Sequence, residues 1–273
     1  MAKIINELQD LRYLKWSKIR HSSGTAGSFL KSCEDIGNTK KYYKLSDYDS
    51  YKGIIGHECI NELIVDRLLS EYDIPHLSYE LIHALVKIDD RDYETYLCGS
   101  YDFKEPGDSK IALDIFYQLE KFPNESPLDF CTRYGWDKYI WQMLFVDYLI
   151  LNRDRHGANI EILRNRNSKR IAPAPLFDHG LSLAFSAHSD NELSTFNGLE
   201  DKKVQCFVGS NSTHNNLNLI PTDHMIPIKD MNQHFRDRLF DGMDSIVSKT
   251  FKSTICNMLQ ERGAEYERLR LKR

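Results

Sequence analysis

An acidic and an amide side chain, Asp154 and Asn159, stand five residues apart in a short polar loop. The loop reads Asn152-Arg153-Asp154-Arg155-His156-Gly157-Ala158-Asn159 and follows one of the most apolar segments of the chain. A loop carboxylate can take a proton from a hydroxyl, and an amide oxygen can bind a hard cation. Asp154 is therefore a candidate catalytic base. Asn159 is a candidate catalytic and metal-binding residue, and His156 is a candidate that supports the loop by hydrogen bonding.

A second acid follows an apolar segment and precedes a glycine, in Leu176-Phe177-Asp178-His179-Gly180. Asp178 is a candidate ligand of Mg²⁺, which prefers carboxylate oxygens. Two alternatives stay open at this point. Each acid, taken alone, could be an ordinary loop residue. A zinc site is also conceivable, because four nearby side chains are acceptable ligands, although neither cysteine pairs nor a helical His-x-x-x-His spacing accompanies them. Those side chains are Asp154, His156, Asp178 and His179.

The spacing from Asp154 to Asn159 and the context of Asp178 are those of kinase catalytic and magnesium-binding loops. Together, the two motifs resemble those of the HipA-like and CtkA-like bacterial serine/threonine kinases, distant relatives of the phosphatidylinositol 3/4-kinases. In that group the histidine follows the catalytic aspartate, and Asp154 and His156 keep that order. The resemblance implies an α+β, two-lobed protein-kinase-like fold, with a small β-rich N-terminal lobe containing one helix and a mainly helical C-terminal lobe. It also implies ATP and Mg²⁺ as cofactors.

The elements around the catalytic loop follow from residue periodicity. Apolar residues at three- and four-residue spacing predict a buried helix that runs into the loop and holds it. They are Tyr139, Ile140, Met143, Leu144, Val146 and Ile150. Two short strands, at 160–163 and 171–177, are predicted after the loop, around a charged turn. As the arms of a hairpin, they would bring Asn159 and Asp178 to the same edge.

A small-residue turn near the start of the chain suits phosphate binding. Glycines let the backbone approach an anion, and hydroxyls and free backbone N–H groups can donate to it. The candidate residues are Ser22, Ser23, Gly24, Thr25, Ala26 and Gly27. Strands are predicted on either side, at 13–19 and 29–33, and a plain polar hairpin turn is the alternative. The HipA resemblance adds a specific expectation: Ser22, Ser23 or Thr25 is autophosphorylated, and this turns the enzyme down.

A lysine and a glutamate complete the expected nucleotide site. Lys44 lies in a predicted strand at 41–46, where a kinase holds the lysine that contacts the ATP phosphates. A helix predicted at 57–72 offers Glu58 and Glu62 as its partner. Glu62 is preferred, because Asn61-Glu62 resembles the corresponding HipA-like segment and Glu58 lies near the frayed helix start.

Strands at 79–88 and 93–98 would complete a five-stranded first lobe, followed by a hinge at 99–107. Gly99 and Tyr101 are the candidate adenine contacts in this hinge. The predicted N-terminal lobe spans 1–104 and the C-terminal lobe 105–273. The second lobe contains a helix near 111–122, a long polar loop at 186–221 where a substrate would dock, and charged helices from 229 to 273.

Composition limits the function and the location. The formal net charge of −4 gives no electrostatic case for nucleic acid as the main partner. The six cysteines lie far apart, without a C-x-x-C pair, which is typical of reduced, buried thiols. Neither a signal peptide nor a membrane span is predicted. We therefore expect a cytoplasmic protein, with secretion or injection into a host cell left open.

The motifs favour an ATP- and Mg²⁺-dependent serine/threonine protein kinase acting on a protein substrate. A lipid or small-molecule kinase and a nucleotide-binding pseudokinase are the alternatives. The HipA toxin carries an extra subdomain before its phosphate loop, whereas here the loop starts by His21, so the layout resembles the CtkA-like kinases more closely. An antitoxin-type partner is a further alternative that the HipA resemblance raises.

Overall fold

A computed structural model describes residues 3–16 and 29–273. A β-rich N-terminal part is followed by a mainly helical C-terminal part, which confirms the predicted α+β, two-lobed class. The strands are β1 (Lys3–Asp10), β2 (Lys31–Ile36), β3 (Thr39–Lys44), β4 (Tyr48–Asp49), β5 (Gly53–Ile54), β6 (Glu80–Ile88), β7 (Arg91–Tyr101), β8 (Asp108–Ala112), β9 (Asp154–Arg155), β10 (Glu161–Asn165), β11 (Arg170–Pro173) and β12 (Gln205–Cys206). The helices are α1 (Glu58–Glu71), α2 (Leu113–Glu120), α3 (Pro127–Arg133), α4 (Asp137–Leu149), α5 (Asp190–Ser194), α6 (Thr213–Asn216), α7 (Gln233–Leu239) and α8 (Lys249–Lys272).

The first lobe is built on a five-stranded sheet in the order β1-β6-β7-β3-β2. Its first strand differs from the prediction. Residues 13–16, expected to begin a strand, form turn and coil, and residues 17–19 lie outside the described residues. The edge position belongs instead to β1, which pairs in parallel with β6. The other three pairings are antiparallel.

One face of this sheet covers a small apolar core, because alternate side chains of a strand point to the same side. Along β6, Ile82, Ala84, Val86 and Ile88 are buried at every second position. They pack with other buried apolar residues, which follow β1, precede β2, follow β3 or belong to β3 and β7. Those residues are Leu11, Leu14, Leu30, Tyr43, Leu45 and Leu97.

Helix α1 packs into the core of the second lobe. Its residues Leu63, Ile64 and Leu68 are buried in the same apolar cluster as α4 and α8. Its outer end is tied to the second lobe as well, because Arg67 Nη1 donates to the carbonyl oxygens of Leu239, at 2.9 Å, and Asp241, at 2.8 Å. Helix α1 is thus anchored to the second lobe while it also packs against β6 and β7 of the first.

Helix α4 is more deeply buried than an amphipathic surface helix. Residues 143–149 are buried without interruption, and they include one charged residue, Asp147. The chain leaves α4 directly into the catalytic loop. Strand β10 then lies between β8 and β11 in a second, three-stranded sheet. Strand β8 begins directly after the predicted hinge and takes the first two residues, 111 and 112, of the predicted helix at 111–122.

The polar segment at 186–221 is ordered around short helices and capped turns. Ser189 and Glu192 form a capping box on α5, and Ser212 caps α6. Buried Arg262 of α8 ties the segment to the lobe, because it donates to Gly198 O at 2.9 Å and to Thr213 Oγ1 at 3.0 Å. Among the helices of residues 3–16 and 29–273, none is both long enough and apolar enough to cross a membrane.

Candidate active site

Lys44, the last residue of β3, lies between two carboxylates. Its Nζ is 2.6 Å from Asp178 Oδ1 and 3.0 Å from Glu62 Oε1, and it lies 4.6 Å from the centre of the Phe29 ring. Burial opposes the positive charge. The charges of Asp178 and Glu62 outweigh that effect and raise the pKa of Lys44 well above its usual value. The lysine is therefore a fixed cation between the two lobes.

Glu62 is fully buried on α1, with 0% of its surface exposed. Its Oε1 binds Lys44, and its Oε2 accepts a hydrogen bond of 2.8 Å from the backbone N–H of His179. Burial raises the pKa of Glu62, and Lys44 partly offsets that effect. His179 is also buried, and burial followed by the charge of Arg155 lowers its pKa well below the usual value. The imidazole of His179 is therefore neutral and does not form an ion pair with Glu62. Glu62 holds this segment through the backbone N–H of His179.

Asp178 has a left-handed backbone, with φ of 58°, which turns its carboxylate back toward the lysine. Its backbone N–H donates to the Tyr79 hydroxyl at 3.2 Å, and its Oδ2 lies 4.0 Å from Lys31 Nζ. Burial disfavours its charge, but Lys44 and then Lys31 outweigh burial and lower the pKa of Asp178. The carboxylate is held ionised, as a cation ligand must be.

Gly180 allows this close packing. A Cβ at this position would lie 3.1 Å from Lys44 Nζ and 3.1 Å from Glu58 Cβ. Next to it, Asn61 Nδ2 donates to the carbonyl oxygens of Gly180 and Ser182, each at 3.0 Å. The segment that carries Asp178 is therefore fastened to α1 on both sides of the glycine. Sequence reasoning missed Asn61 as a fastening group, although it stands beside Glu62 on α1.

The catalytic loop is held by its two asparagines. Asn152 Oδ1 accepts from the backbone N–H of Asp154 at 3.2 Å. Asn159 Nδ2 donates to Asp154 O at 2.8 Å and to Asp154 Oδ2 at 3.4 Å. Asp154 Oδ1 is buried and has no hydrogen-bond partner among residues 3–16 and 29–273. Burial raises the pKa of Asp154, and the charge of His156 partly offsets it.

His156 supports the loop through its backbone neighbours. Its Nδ1 accepts a hydrogen bond of 3.1 Å from the Ala158 N–H, at the start of a 3₁₀ turn over Gly157–Asn159. Its Nε2 lies 3.6 Å from Asp154 Oδ2. The supporting role of His156 stays a prediction of the sequence.

A buried ion pair between Arg155 and Asp147 fixes the loop to helix α4. Sequence reasoning missed this pair. Arg155 Nη2 lies 2.9 Å from Asp147 Oδ1, and Nε lies 3.0 Å from Oδ2. Arg155 Nη1 also donates to Asn159 O at 3.1 Å and Phe177 O at 3.0 Å. One guanidinium thus joins helix α4, the Asn159 turn and the residue before Asp178. The signal in the sequence is a single acid, Asp147, inside an otherwise apolar helix.

The cleft between the lobes has a volume of about 220 Å³. It is lined by residues from β2, β3, β7, β8, β10 and α1 and from three connecting segments, which lie between α1 and β6, between β7 and β8, and after β11. They are Lys31, Tyr42, Tyr43, Lys44, Glu62, Leu77, Tyr79, Cys98, Ser100, Tyr101, Asp102, Phe103, Lys110, Glu161, Phe177 and Asp178. The structure thus brings Lys44, Glu62, Tyr101 and Asp178 to one cavity.

Gly99 does not line this cleft. It pairs with Tyr43 and Glu80 inside the sheet, and a Cβ there would lie 2.8 Å from Ile82 Cδ1 and 3.1 Å from Lys41 Cε. Gly99 and Tyr101 both belong to β7, so the connection between the lobes begins at Asp102 rather than at 99. The predicted phosphate-binding residues at 22–27 lie outside the described residues.

Within the described part of the chain, no three His, Cys, Asp or Glu side chains are close enough to hold a metal ion together. The alternative of a zinc site built from Asp154, His156, Asp178 and His179 therefore has no support in the geometry. A kinase-type magnesium site needs fewer protein ligands, because substrate phosphates and water also coordinate the ion. Asp178 and the Asn159 amide are the candidate protein ligands.

Comparison with known proteins supports the fold. No protein-family model and no curated protein sequence matches the chain. Among solved structures, CtkA of Helicobacter pylori, described as a proinflammatory kinase, is 17% identical with a TM-score of 0.59, and the match covers 95% of this chain and 98% of that one. HipA of Shewanella oneidensis MR-1, solved with HipB and operator DNA, is 13% identical (TM-score 0.46; coverage 92% and 66%). A Golgi casein kinase is 13% identical (TM-score 0.40; coverage 89% and 71%). The match to CtkA, at a TM-score of 0.59, shows that the chain has the same two-lobed α+β kinase-like fold.

Proposed function

We propose that the chain is an ATP- and Mg²⁺-dependent serine/threonine protein kinase. The observation that carries the proposal is the position of Lys44, in contact with Glu62 and Asp178 at once. Asp154 is near enough for the charges of Asp178 and Lys44 to act on it. A lysine, its glutamate partner and a cation-binding acid thus line one cleft, and the proposed base lies near them, as phosphoryl transfer requires.

The residues present suit a nucleotide with magnesium. Asp178 is ionised and Asn159 presents an amide oxygen, and such hard oxygen donors are the ligands that magnesium prefers. When bound, the ion would neutralise charge on the phosphate oxygens. Lys44 would bind the α- and β-phosphates, and Glu62 would keep the ammonium group turned toward them. The proposed lobes are those of the sequence prediction, 1–104 and 105–273, with the lobe connection starting at Asp102.

Asp154 would orient the acceptor hydroxyl and take its proton. The hydroxyl oxygen forms a bond to the γ-phosphorus, and the bond to the departing ADP oxygen breaks. The buried Oδ1 of Asp154 is the atom available to receive the proton, because Oδ2 already contacts Asn159. The motif resemblance supports a serine or threonine hydroxyl as the acceptor.

Two isosteric variants test these roles. Asp154→Asn should lower turnover by about 10²–10⁴-fold and leave Mg-ATP affinity nearly unchanged, because the base acts on the acceptor. Asp178→Asn should weaken Mg-dependent ATP binding as well as turnover. Calorimetric titration and steady-state kinetics would be carried out on both, with the exposed residue Asp223 changed to Asn as the control.

Wild-type turnover in either variant would contradict the assignment. Nucleotide binding without transfer to any acceptor would favour a pseudokinase. Phosphorylation of lipids or small molecules, but not of proteins, would favour the other kinase class.

A further inference from the structure

The nucleotide cleft has two chemically different ends. Lys44 and Asp178 carry charge at one end. At the other end lie Lys110, the ring of Phe103, whose centre is 6.0 Å from that of Phe177, and two carboxylates, Asp102 and Glu161. A nucleotide whose phosphates contact Lys44 must place its nucleoside at the aromatic end. Glu161 therefore faces the nucleoside, the half of the nucleotide that the roles proposed for the catalytic residues do not involve.

Glu161 is held in place by its sheet. It is the first residue of β10, its Cα pairs with Ala112 of β8, and its carbonyl oxygen accepts from the Ala174 N–H at 2.8 Å. Only 21% of its side chain is exposed. A side chain fixed on a strand can discriminate between ligands more sharply than one on a loop.

The carboxylate of Glu161 has unused capacity to accept hydrogen bonds. Lys110 Nζ lies 3.4 Å from Oε2, an ionic contact longer than a normal hydrogen bond. The same ammonium group also lies over the rings of Tyr42, at 5.6 Å, and Phe103, at 5.4 Å. Oε2 is buried and has no hydrogen-bond partner among residues 3–16 and 29–273. A buried acceptor left without a donor is unfavourable, so a ligand that supplies the donor is preferred.

Asp102, the other carboxylate near this end, is already occupied. Its Oδ2 accepts from the Tyr42 hydroxyl at 3.3 Å and lies 3.4 Å from Lys104 Nζ. Its Oδ1 accepts from the Lys104 N–H at 3.1 Å. Glu161 is thus the carboxylate of this end that can take a new donor.

We propose that Glu161 determines nucleoside specificity by accepting a hydrogen bond from a neutral donor group on the nucleoside half of the bound nucleotide. This inference rests on the proposed function, since it requires phosphates at Lys44. Two nucleoside groups supply such a donor: the ribose hydroxyls and the exocyclic amine of adenine. Both are recognised by the same carboxylate chemistry, and a site that expects a donor rejects an analogue that lacks it.

Calorimetric affinities for ATP and three analogues, measured with Mg²⁺, test the proposal. The analogues are 2′-deoxy-ATP, 3′-deoxy-ATP and purine riboside triphosphate, which lacks the exocyclic amine. One of them should bind the wild type about tenfold or more weakly than ATP. A loss with a deoxy analogue identifies the ribose as the donor, and a loss with the purine riboside analogue identifies the amine.

Glu161→Ala should bind ATP as weakly as that analogue and no longer distinguish the two. Glu161→Gln keeps an acceptor oxygen and should retain part of the discrimination. Exposed Glu120 of α2, changed to Ala, is the matched control and should behave as the wild type. Thermal unfolding confirms that each variant is folded, and the Gln variant tests the proposal even if the Ala variant does not fold.

Equal binding of ATP and all three analogues by the wild type would overturn the inference. Unchanged discrimination between ATP and the analogue in folded Glu161→Ala would overturn it as well. If that variant does not fold, unchanged discrimination in Glu161→Gln has the same consequence. In either case, phosphate transfer by the wild type would leave the proposed function standing. A wild type that binds no nucleotide at millimolar concentration would overturn the proposed function and, with it, this inference.

Discussion

At the scale of single residues, the site depends on a buried cluster of alternating charge. Lys44 satisfies both Glu62 and Asp178, and Lys31 approaches Asp178 from the other side. In such a cluster, removing one partner leaves the others buried without compensation. The two carboxylates are therefore not equivalent. Glu62 positions the lysine from inside α1, and Asp178 presents its charge to the cleft.

Glu62→Gln tests that division of labour. The amide keeps the shape of the side chain, and Asp178 still pairs with Lys44, so the chain should fold. The lysine loses one of its two anchors, so kcat/KM for ATP should fall by about 10- to 100-fold. Glu58→Gln is the matched control, because Glu58 is also buried on α1 but contacts the backbone N–H of Asp47. Equal losses in the two variants would remove the special role of Glu62.

Autophosphorylation of Ser22, Ser23 or Thr25 stays a prediction of the sequence, because these residues lie outside the described ones. A phosphate there would place about two negative charges next to the ATP phosphates and oppose nucleotide binding. Mass spectrometry after incubation with Mg-ATP should find the modification in the wild type and not in Asp154→Asn. If an external substrate is phosphorylated while all three hydroxyls stay unmodified, the self-inhibition idea is wrong.

At the scale of elements, α1 is the helix shared by the two lobes. Arg238 of α7 forms a bidentate contact with Glu71, at 2.6 and 2.7 Å, and Arg67 donates to two carbonyl oxygens, one on the last residue of α7 and one two residues beyond it. Glu62 lies on the same helix. A substitution that weakens the contacts between α1 and α7 should therefore also weaken the contact between Glu62 and Lys44.

Arg67→Met should lower the free energy of unfolding by about 1–3 kcal/mol, because two carbonyl oxygens lose a charged donor. Urea unfolding measures the change. Lys252→Met is the control, because Lys252 forms an ion pair with Asp244, whose side chain is 97% exposed, and such pairs contribute about 0–1 kcal/mol. A loss no larger than that of the control would show that α1 is not held through Arg67.

The segment after α1 provides a pH-dependent contact. His76 Nε2 lies 3.1 Å from Asp66 Oδ1, and Nδ1 lies 2.6 Å from Ile74 O. Burial opposes its charge, but Asp66 outweighs burial and raises the pKa of His76 above 6.5. This contact therefore stabilises the fold fully below the pKa of the unfolded chain, and the contribution disappears as pH rises through the folded pKa.

His76→Gln should consequently lower the melting temperature more at about pH 6 than at about pH 9. The comparison is the gap between wild type and variant at each pH, so that titration of other groups cancels. A gap that is constant, or wider at the higher pH, would show that His76 is not charged in the folded state.

Elements with strong local signals could be predicted from the sequence. Helix α1 lies within one residue of its prediction, and the predicted catalytic loop does follow a buried helix. Strand β1 could not be predicted, because adjacent Ile4 and Ile5 break the alternation and its pairing with β6 is a tertiary contact. Glycine favours turns, so the sequence predicts Gly99 in a hinge, whereas in the structure it makes room for Ile82 within a strand.

At the scale of the whole molecule, two apolar cores lie on either side of the cleft. The smaller one lies under the N-terminal sheet, and the larger one joins α1 to the helices of the second lobe. Residues that act together come from both sides: Lys44 from the sheet, Asp154 and Asp178 from the second lobe. The sequence shows the motifs, but their convergence, and the Arg155–Asp147 pair that fixes it, depends on tertiary packing.

The most direct measurement of the central claim is phosphate transfer from γ-labelled ATP by the purified chain, with magnesium, to a mixture of proteins and to itself. We predict label on serine or threonine with the wild type, dependence on magnesium, and loss of labelling in Asp154→Asn, although that variant still binds nucleotide. Labelling that persists in Asp154→Asn, or a wild type that binds ATP and transfers no phosphate to any protein, would contradict the account.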